Sequence, residues 1–236
     1  MDSLSPSSDL LTDFPDPKPS ADTPPSLPNS AKSPWFSIWF HPRQTMAWII
    51  WKDPAQQVLL LAVLAGIVQA FDNASRADMG VVSGLTVMML FGALGGLISL
   101  YFGGWVLRIV ASFLGGTASP EESRAALAWS YVPQITLLVL AFLPMLFLFG
   151  PETFHSASPI FDAKLAADAT FGLASGIILM LSGAASLVMT IWTVVILVAN
   201  ISVVNRFSTW RAFFTILIPV LLLVGLLLLV VVVEIL

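Results

Sequence analysis

The sequence predicts an all-α protein: a polytopic transmembrane bundle of five helices, preceded by an amphipathic interfacial segment and a disordered N-terminal tail. Three observations predict it. Of the 236 residues, 57% are hydrophobic and only 10% are charged, against about 25% charged in a soluble domain. The mean hydropathy is +0.91. The apolar residues also fall into five uncharged runs that lack the period-two alternation of a membrane-spanning strand.

Residues 1–34 hold eight of the sixteen prolines, eight serines and five aspartates, against two lysines. Such a segment buries too little apolar surface to offset its chain entropy, so it reads as a disordered cytoplasmic tail. It lacks the basic start and apolar run of a signal peptide. The membrane domain is expected over 35–236, with spans at about 55–71, 80–107, 134–150, 171–199 and 212–233. About 20 helical residues cross a hydrocarbon core of about 30 Å. The first and third spans are therefore short, while the second and fourth are long enough to tilt or project. Pro144 and Pro219 lie inside spans three and five, where neighbouring helices re-satisfy the freed carbonyls.

Lysine and arginine set the orientation. With the N-terminus in the cytoplasm, Lys18, Lys32, Arg43, Lys52, Arg108, Arg124, Arg206 and Arg211 fall inside, and only Arg76 and Lys164 outside. Five crossings then put the C-terminus outside. All eight tryptophans lie toward the inner side on this topology. Indoles favour the headgroup layer, so they form a one-sided aromatic belt or, on the sharper reading, a cytoplasmic-face platform.

Residues 115–133, GGTASPEESRAALAWSYVP, interrupt the apolar pattern. Gly115 and Gly116 are suited to end span two, which is expected to run to Leu114. Ser119, Pro120 and Glu122 have the spacing of a capping box with proline in the first turn. A short helix at the interface is expected up to Pro133, with a bend where span three begins. Glu121 and Glu122 read as first-turn acids favoured by the helix dipole, not as catalytic groups, because no base or metal-ligand set lies near them in sequence.

Small residues at four-residue spacing are candidates for helix packing: Gly95, Ser99 and Gly103; Gly92 and Gly96; Gly172 and Gly176; Ser182 and Ser186. They make spans two and four the expected central pair. Homodimerisation through one stripe is the second reading. Span five, nearly all Leu and Val, reads as lipid-facing.

The elbow motif resembles the central motif of the Yip family, the Ypt-interacting-protein-one domain proteins. There a glycine pair, a short polar helix and an alanine-rich Ala-x-Ser/Tyr-x-Pro ending lead into the third span; the matching stretch here holds Ser130, Tyr131 and Pro133. Arg124 lies within the same match. The stretch from Val204 through Phe207, Ser208, Arg211 and Ala212 is similar to the family's loop before the last span. Residues 33–45 are similar to the pre-span region of prokaryotic members. The eukaryotic Asp-Leu-Tyr-Gly-Pro signature is absent. The resemblance therefore implies a prokaryotic-type fold in a bacterial plasma membrane, and no expectation of GTPase binding.

Several functions are disfavoured. The chain has no cysteine and a net charge of −4, so it offers no thiol chemistry and no clustered basic surface for nucleic acid. No ionisable residue lies in the five cores, where a proton relay would need one. His41 and His155 fall on opposite sides, and His155 with Glu152, Asp162, Lys164 and Asp168 reads as a solvated outer loop. No catalytic residue, metal site or cofactor is expected. The reading is a non-enzymatic interaction or membrane-organising protein whose partners are the bilayer and either a second copy or another membrane protein. A transporter or permease subunit of unknown small-molecule substrate is the alternative; a membrane-embedded enzyme comes last.

Overall fold

The structure, a computed structural model, describes residues 33–76, 81–137, 139–140, 143–150 and 169–235. The expected disordered tail, save its last two residues, and the outer loop carrying His155 lie outside the described residues. The described chain is helical: α1 Pro34–Phe40, α2 Pro42–Lys52, α3 Val58–Arg76, α4 Val81–Phe113, α5 Pro120–Ser130, α6 Val132–Leu137, α7 Leu143–Phe149, α8 Ala169–Val204 and α9 Thr209–Ile235.

Helices α1 and α2 form a bent ledge before the first apolar run. Both start on a proline at the first helical position, where the missing N–H costs no hydrogen bond. His41, held out of the helical region at φ −130° by the proline that follows it, separates them. The Thr45 hydroxyl closes the joint, donating to the His41 carbonyl at 2.8 Å and sharing a 2.6 Å hydrogen bond with Ser37.

Among the described residues three helices are long and apolar enough to cross a membrane: α4, α8 over Ser175–Val204 and α9 over Thr209–Glu234. The stretch Val58–Phe71 of α3 is apolar but shorter. Expected span three falls on α6 and α7, with 138, 141 and 142 between them outside the described residues. Almost no side chain of α9 beyond Pro219 is covered by protein.

The tightest pairing is between α3 and α4, not between spans two and four as the sequence stripes suggested. The two run antiparallel with Val58 beside Leu100, Ala62 against Gly96 and Gly66 against Gly92. A Cβ on Gly66 would lie 2.6 Å from the Gly96 Cα, and one on Gly96 would lie 3.0 Å from the Gly66 Cα. Backbone meets backbone there, so dispersion contacts accumulate where lipid supplies no hydrophobic drive. On α4 the buried face is Gly84, Met88, Gly92, Gly96, Leu100 and Gly104, every fourth residue. That face excludes Gly95 and Ser99, which point outward.

The short helix α5 forms where it was expected, from Pro120 to Ser130. It does not lie on the surface of the bundle. Ser123 and all residues from Ala125 to Ser130 are buried, because α3, α4 and α8 all pack on it. Its alanines explain how: small side chains let three neighbours approach one short helix.

Candidate functional site

The elbow is built from the chain reversals at both its ends. Gly115 takes φ +85°, a left-handed conformation suited to glycine. Its N–H donates to the Ser112 carbonyl at 3.1 Å, and the Gly116 N–H to that of Ala111 at 2.8 Å. This double bond pattern is the Schellman closure of a helix. Gly116 is fixed by a close approach: a Cβ there would lie 2.9 Å from the Ala111 carbonyl oxygen and would collide with the Asn205 side chain.

Helix α5 then starts with both halves of a capping box. The Glu122 N–H donates to Ser119 Oγ at 3.1 Å, and the Ser119 N–H donates to Glu122 Oε2 at 2.6 Å. The Ser123 hydroxyl adds a bond to the Ser119 carbonyl at 2.9 Å. At the other end α5 stops at Ser130, three residues before Pro133. Ser130 donates its hydroxyl to the Leu127 carbonyl at 2.6 Å. Pro133 is not the stop expected from the sequence; it occupies the first turn of α6, where it removes no ladder bond.

Asn200 of α8 and Asn205, just past its end, reach across to this elbow. Asn200 Nδ2 donates to the Ala126 carbonyl at 3.1 Å. Asn205 Oδ1 accepts the Ala118 N–H at 3.3 Å while its Nδ2 donates to the Ile201 carbonyl at 3.1 Å. Trp129 is only 1% exposed and stands edge-on to Trp35, with ring centroids 5.9 Å apart. Trp35 in turn donates its indole N–H to Gln57 Oε1 at 2.8 Å. The indole nitrogen of Trp129 and Oδ1 of Asn200 are buried without a hydrogen-bond partner among the described residues.

The loop between α8 and α9 closes the same end of the molecule. Arg206 sits at φ +55°; its N–H donates to Val203 and that of Phe207 to Ser202, both at 3.2 Å. This is a second Schellman closure, made with an arginine where glycine is usual. The Ser208 carbonyl accepts the Ala212 N–H at 3.1 Å. Ala212 is fully buried, whereas Arg211 is exposed and lies beside Gly115. Arg43 of α2 donates to the Thr209 hydroxyl. The two stretches that resemble family motifs, 115–133 and 204–212, therefore meet in space.

Charge gathers here too. Arg43, Lys52, Arg108, Arg124, Arg206 and Arg211 surround the elbow end, against Asp53, Glu121 and Glu122. Burial pushes the Tyr131 phenol above its ordinary value. Among the described residues no three His, Asp or Glu side chains come together to hold a metal.

The Yip1 domain profile matches residues 36–232. The chain belongs to the Yip1 domain family. No curated protein and no solved structure matches it significantly. This Yip1-domain protein is an integral, multi-pass membrane protein.

The packing candidates in this Yip1-domain chain divide. Gly92 and Gly96 line the seam with α3, and Gly103 lies half-buried against Leu127 of α5. A Cβ on Gly95 or Gly176 would meet nothing within 4 Å. Gly172 and Ser182 are half-buried, and Ser186 is exposed. Sequence reasoning missed Gly66, Asn200 and the structural part of Asn205. Ala62, Gly66 and Ala70 had the same four-residue spacing, and two asparagines five apart at the end of a long apolar run were a second available signal.

Proposed function

We propose that this Yip1-domain protein is a non-enzymatic, five-span interaction or membrane-organising component of a bacterial plasma membrane. Its N-terminus faces the cytoplasm, its C-terminus faces out, and its working surface is the cytoplasmic face of the elbow end. The observation that carries this reading is the gathering of cations and outward aromatics at one end of the bundle. Phe36 and Phe40, four residues apart on one face of α1, are 76% and 80% exposed, and the following helix α2 carries Arg43 and Lys52. The positive-inside bias supports the sidedness.

Connectivity supports the crossing number. Helix α4 ends, and α3 begins, at the elbow end; α8 ends and α9 begins there as well. A helix rises 1.5 Å per residue, so the start of the 36-residue α8 lies far from the elbow. On this reading the chain recrosses the bilayer after α5, starting through α6 and α7. We read that return as the third span, which would bring the total to five. The domain organisation follows: a cytoplasmic tail over 1–34 and a membrane domain over 35–236.

The elbow itself is consumed by internal contacts, so the platform is the surrounding ledge, not Trp129. The test is a photo-reactive residue at Phe40 in native membranes. A discrete heteromeric adduct, absent when the same residue replaces the outward Leu228 of α9, is expected. Adducts with lipid alone at both positions would remove the platform from the account.

A further inference from the structure

A pocket of about 150 Å³ opens between the start of α3, the later half of α4 and the first turns of α5. Its apolar wall is Pro54, Val58, Leu100 and Tyr101, and its polar wall is Glu121 and Arg124. The Arg124 guanidinium lies 4.9 Å above the Tyr101 ring. Gly104 makes room for that arginine, since a Cβ there would stand 2.8 Å from Arg124 Cγ. Tyr101 also lines a shallow, open apolar groove of about 560 Å³ along α4, with Leu97, Ile98, Phe102 and Trp105. Polar pocket and apolar groove are thus joined through one side chain.

Glu121 and Arg124 stand three residues apart on one helix, a spacing at which opposite charges commonly pair. Here neither side chain makes an ion pair or hydrogen bond with any described residue. One carboxylate and one guanidinium are left facing a shared pocket at the mouth of an apolar groove. A ligand that satisfies both has an anionic group for the guanidinium fork, a cationic hydrogen-bond donor for the carboxylate, and an acyl chain.

We infer that this pocket binds a single phospholipid whose headgroup carries a phosphate and a primary ammonium, as in phosphatidylethanolamine. Arg124, already stacked on Tyr101, takes the phosphate with two parallel N–H···O bonds. Glu121 accepts N–H bonds from the ammonium. A quaternary choline offers no such N–H, and an anionic glycerol headgroup brings no cation for Glu121. One acyl chain lies along the α4 groove, which Trp105 borders near the headgroup layer. The site is independent of the proposed platform, which lies on the outward face of α1.

The test titrates the delipidated full chain with phosphatidylethanolamine, phosphatidylcholine and phosphatidylglycerol of identical acyl chains, counting retained lipid by native mass spectrometry. Phosphatidylethanolamine is expected to be retained at about tenfold lower concentration than either competitor, the ratio one charge-assisted hydrogen bond supplies. Glu121→Gln is expected to abolish the preference over phosphatidylglycerol; Arg124→Gln is expected to weaken retention of all three. Glu121 is exposed, so its variant keeps the fold, which circular dichroism verifies. Equal retention of the three lipids, or an unchanged preference in Glu121→Gln, overturns the inference.

Discussion

Asn205 accepts the backbone N–H of Ala118 across 87 residues of sequence, joining the loop before the last helix to the turn before the elbow helix. Around that bond the structure is crowded enough that Gly116 cannot carry a side chain without striking Asn205. Asn205→Ala leaves a buried N–H unsatisfied. It is expected to cost about 1–3 kcal/mol, read as a lower melting temperature of the detergent-solubilised protein by circular dichroism. A melting temperature equal to wild type contradicts the role given to this bond.

The α3–α4 seam makes a sharper comparison possible, because the glycines of α4 fall on two faces. Gly66→Ala and Gly96→Ala force backbone apart and are expected to destabilise by about 1–3 kcal/mol or more. Gly95→Ala, on open space, is expected to change stability by no more than about 0.5 kcal/mol. Thermal melts of the three variants, measured side by side, decide the matter. Equal losses at Gly95 and Gly96 would place the packing face elsewhere.

Arg206 holds a left-handed backbone conformation that favours glycine. Arg206→Gly relieves that strain but makes the unfolded chain more flexible. A net gain of a few tenths to about 1 kcal/mol is the expected outcome in chemical unfolding. A loss of stability means that the arginine side chain contributes something the backbone argument omits.

Tyr131 gives a pH dependence. At neutral pH its phenol is protonated in both folded and unfolded states, so it contributes no slope. Above the ordinary value of 10.0 the unfolded phenol ionises while the buried one resists. The unfolded state then binds fewer protons, and stability falls as pH rises. Tyr131→Phe is expected to flatten that alkaline decline in melting temperature between neutral pH and pH values above 10.0. An identical decline in wild type and variant removes Tyr131 as its source.

How much of this was legible beforehand depended on whether the signal was local. The capping box at Ser119 and Glu122, the glycine stop at 115–116 and the long apolar helices are short-range chemistry, and the sequence carries them openly. Which face of α4 is buried was not legible. Gly92, Gly95, Gly96 and Gly103 all satisfy a small-residue rule, and only the partner helix decides among them. The partner's own stripe of Ala62, Gly66 and Ala70 was hidden in a run that reads simply as apolar. The elbow helix was legible in its start and its cap, but not in its enclosure: its alanines pack against three neighbours that no local pattern names. Asn200 and Asn205 gain their meaning from backbone groups some 74 and 87 residues away, which no local pattern encodes.

The elbow helix is a buried keystone of the bundle, at the end proposed to face the cytoplasm. The chain has no cysteine, so single cysteines can be placed at Glu121 and Ala126 and challenged with a membrane-impermeant maleimide. The account predicts rapid labelling at 121 in inverted membrane vesicles, none at 121 in right-side-out vesicles, and protection at 126 in both. Labelling at 126 as fast as at 121 would contradict the buried elbow; labelling at 121 from the outer side alone would reverse the proposed orientation.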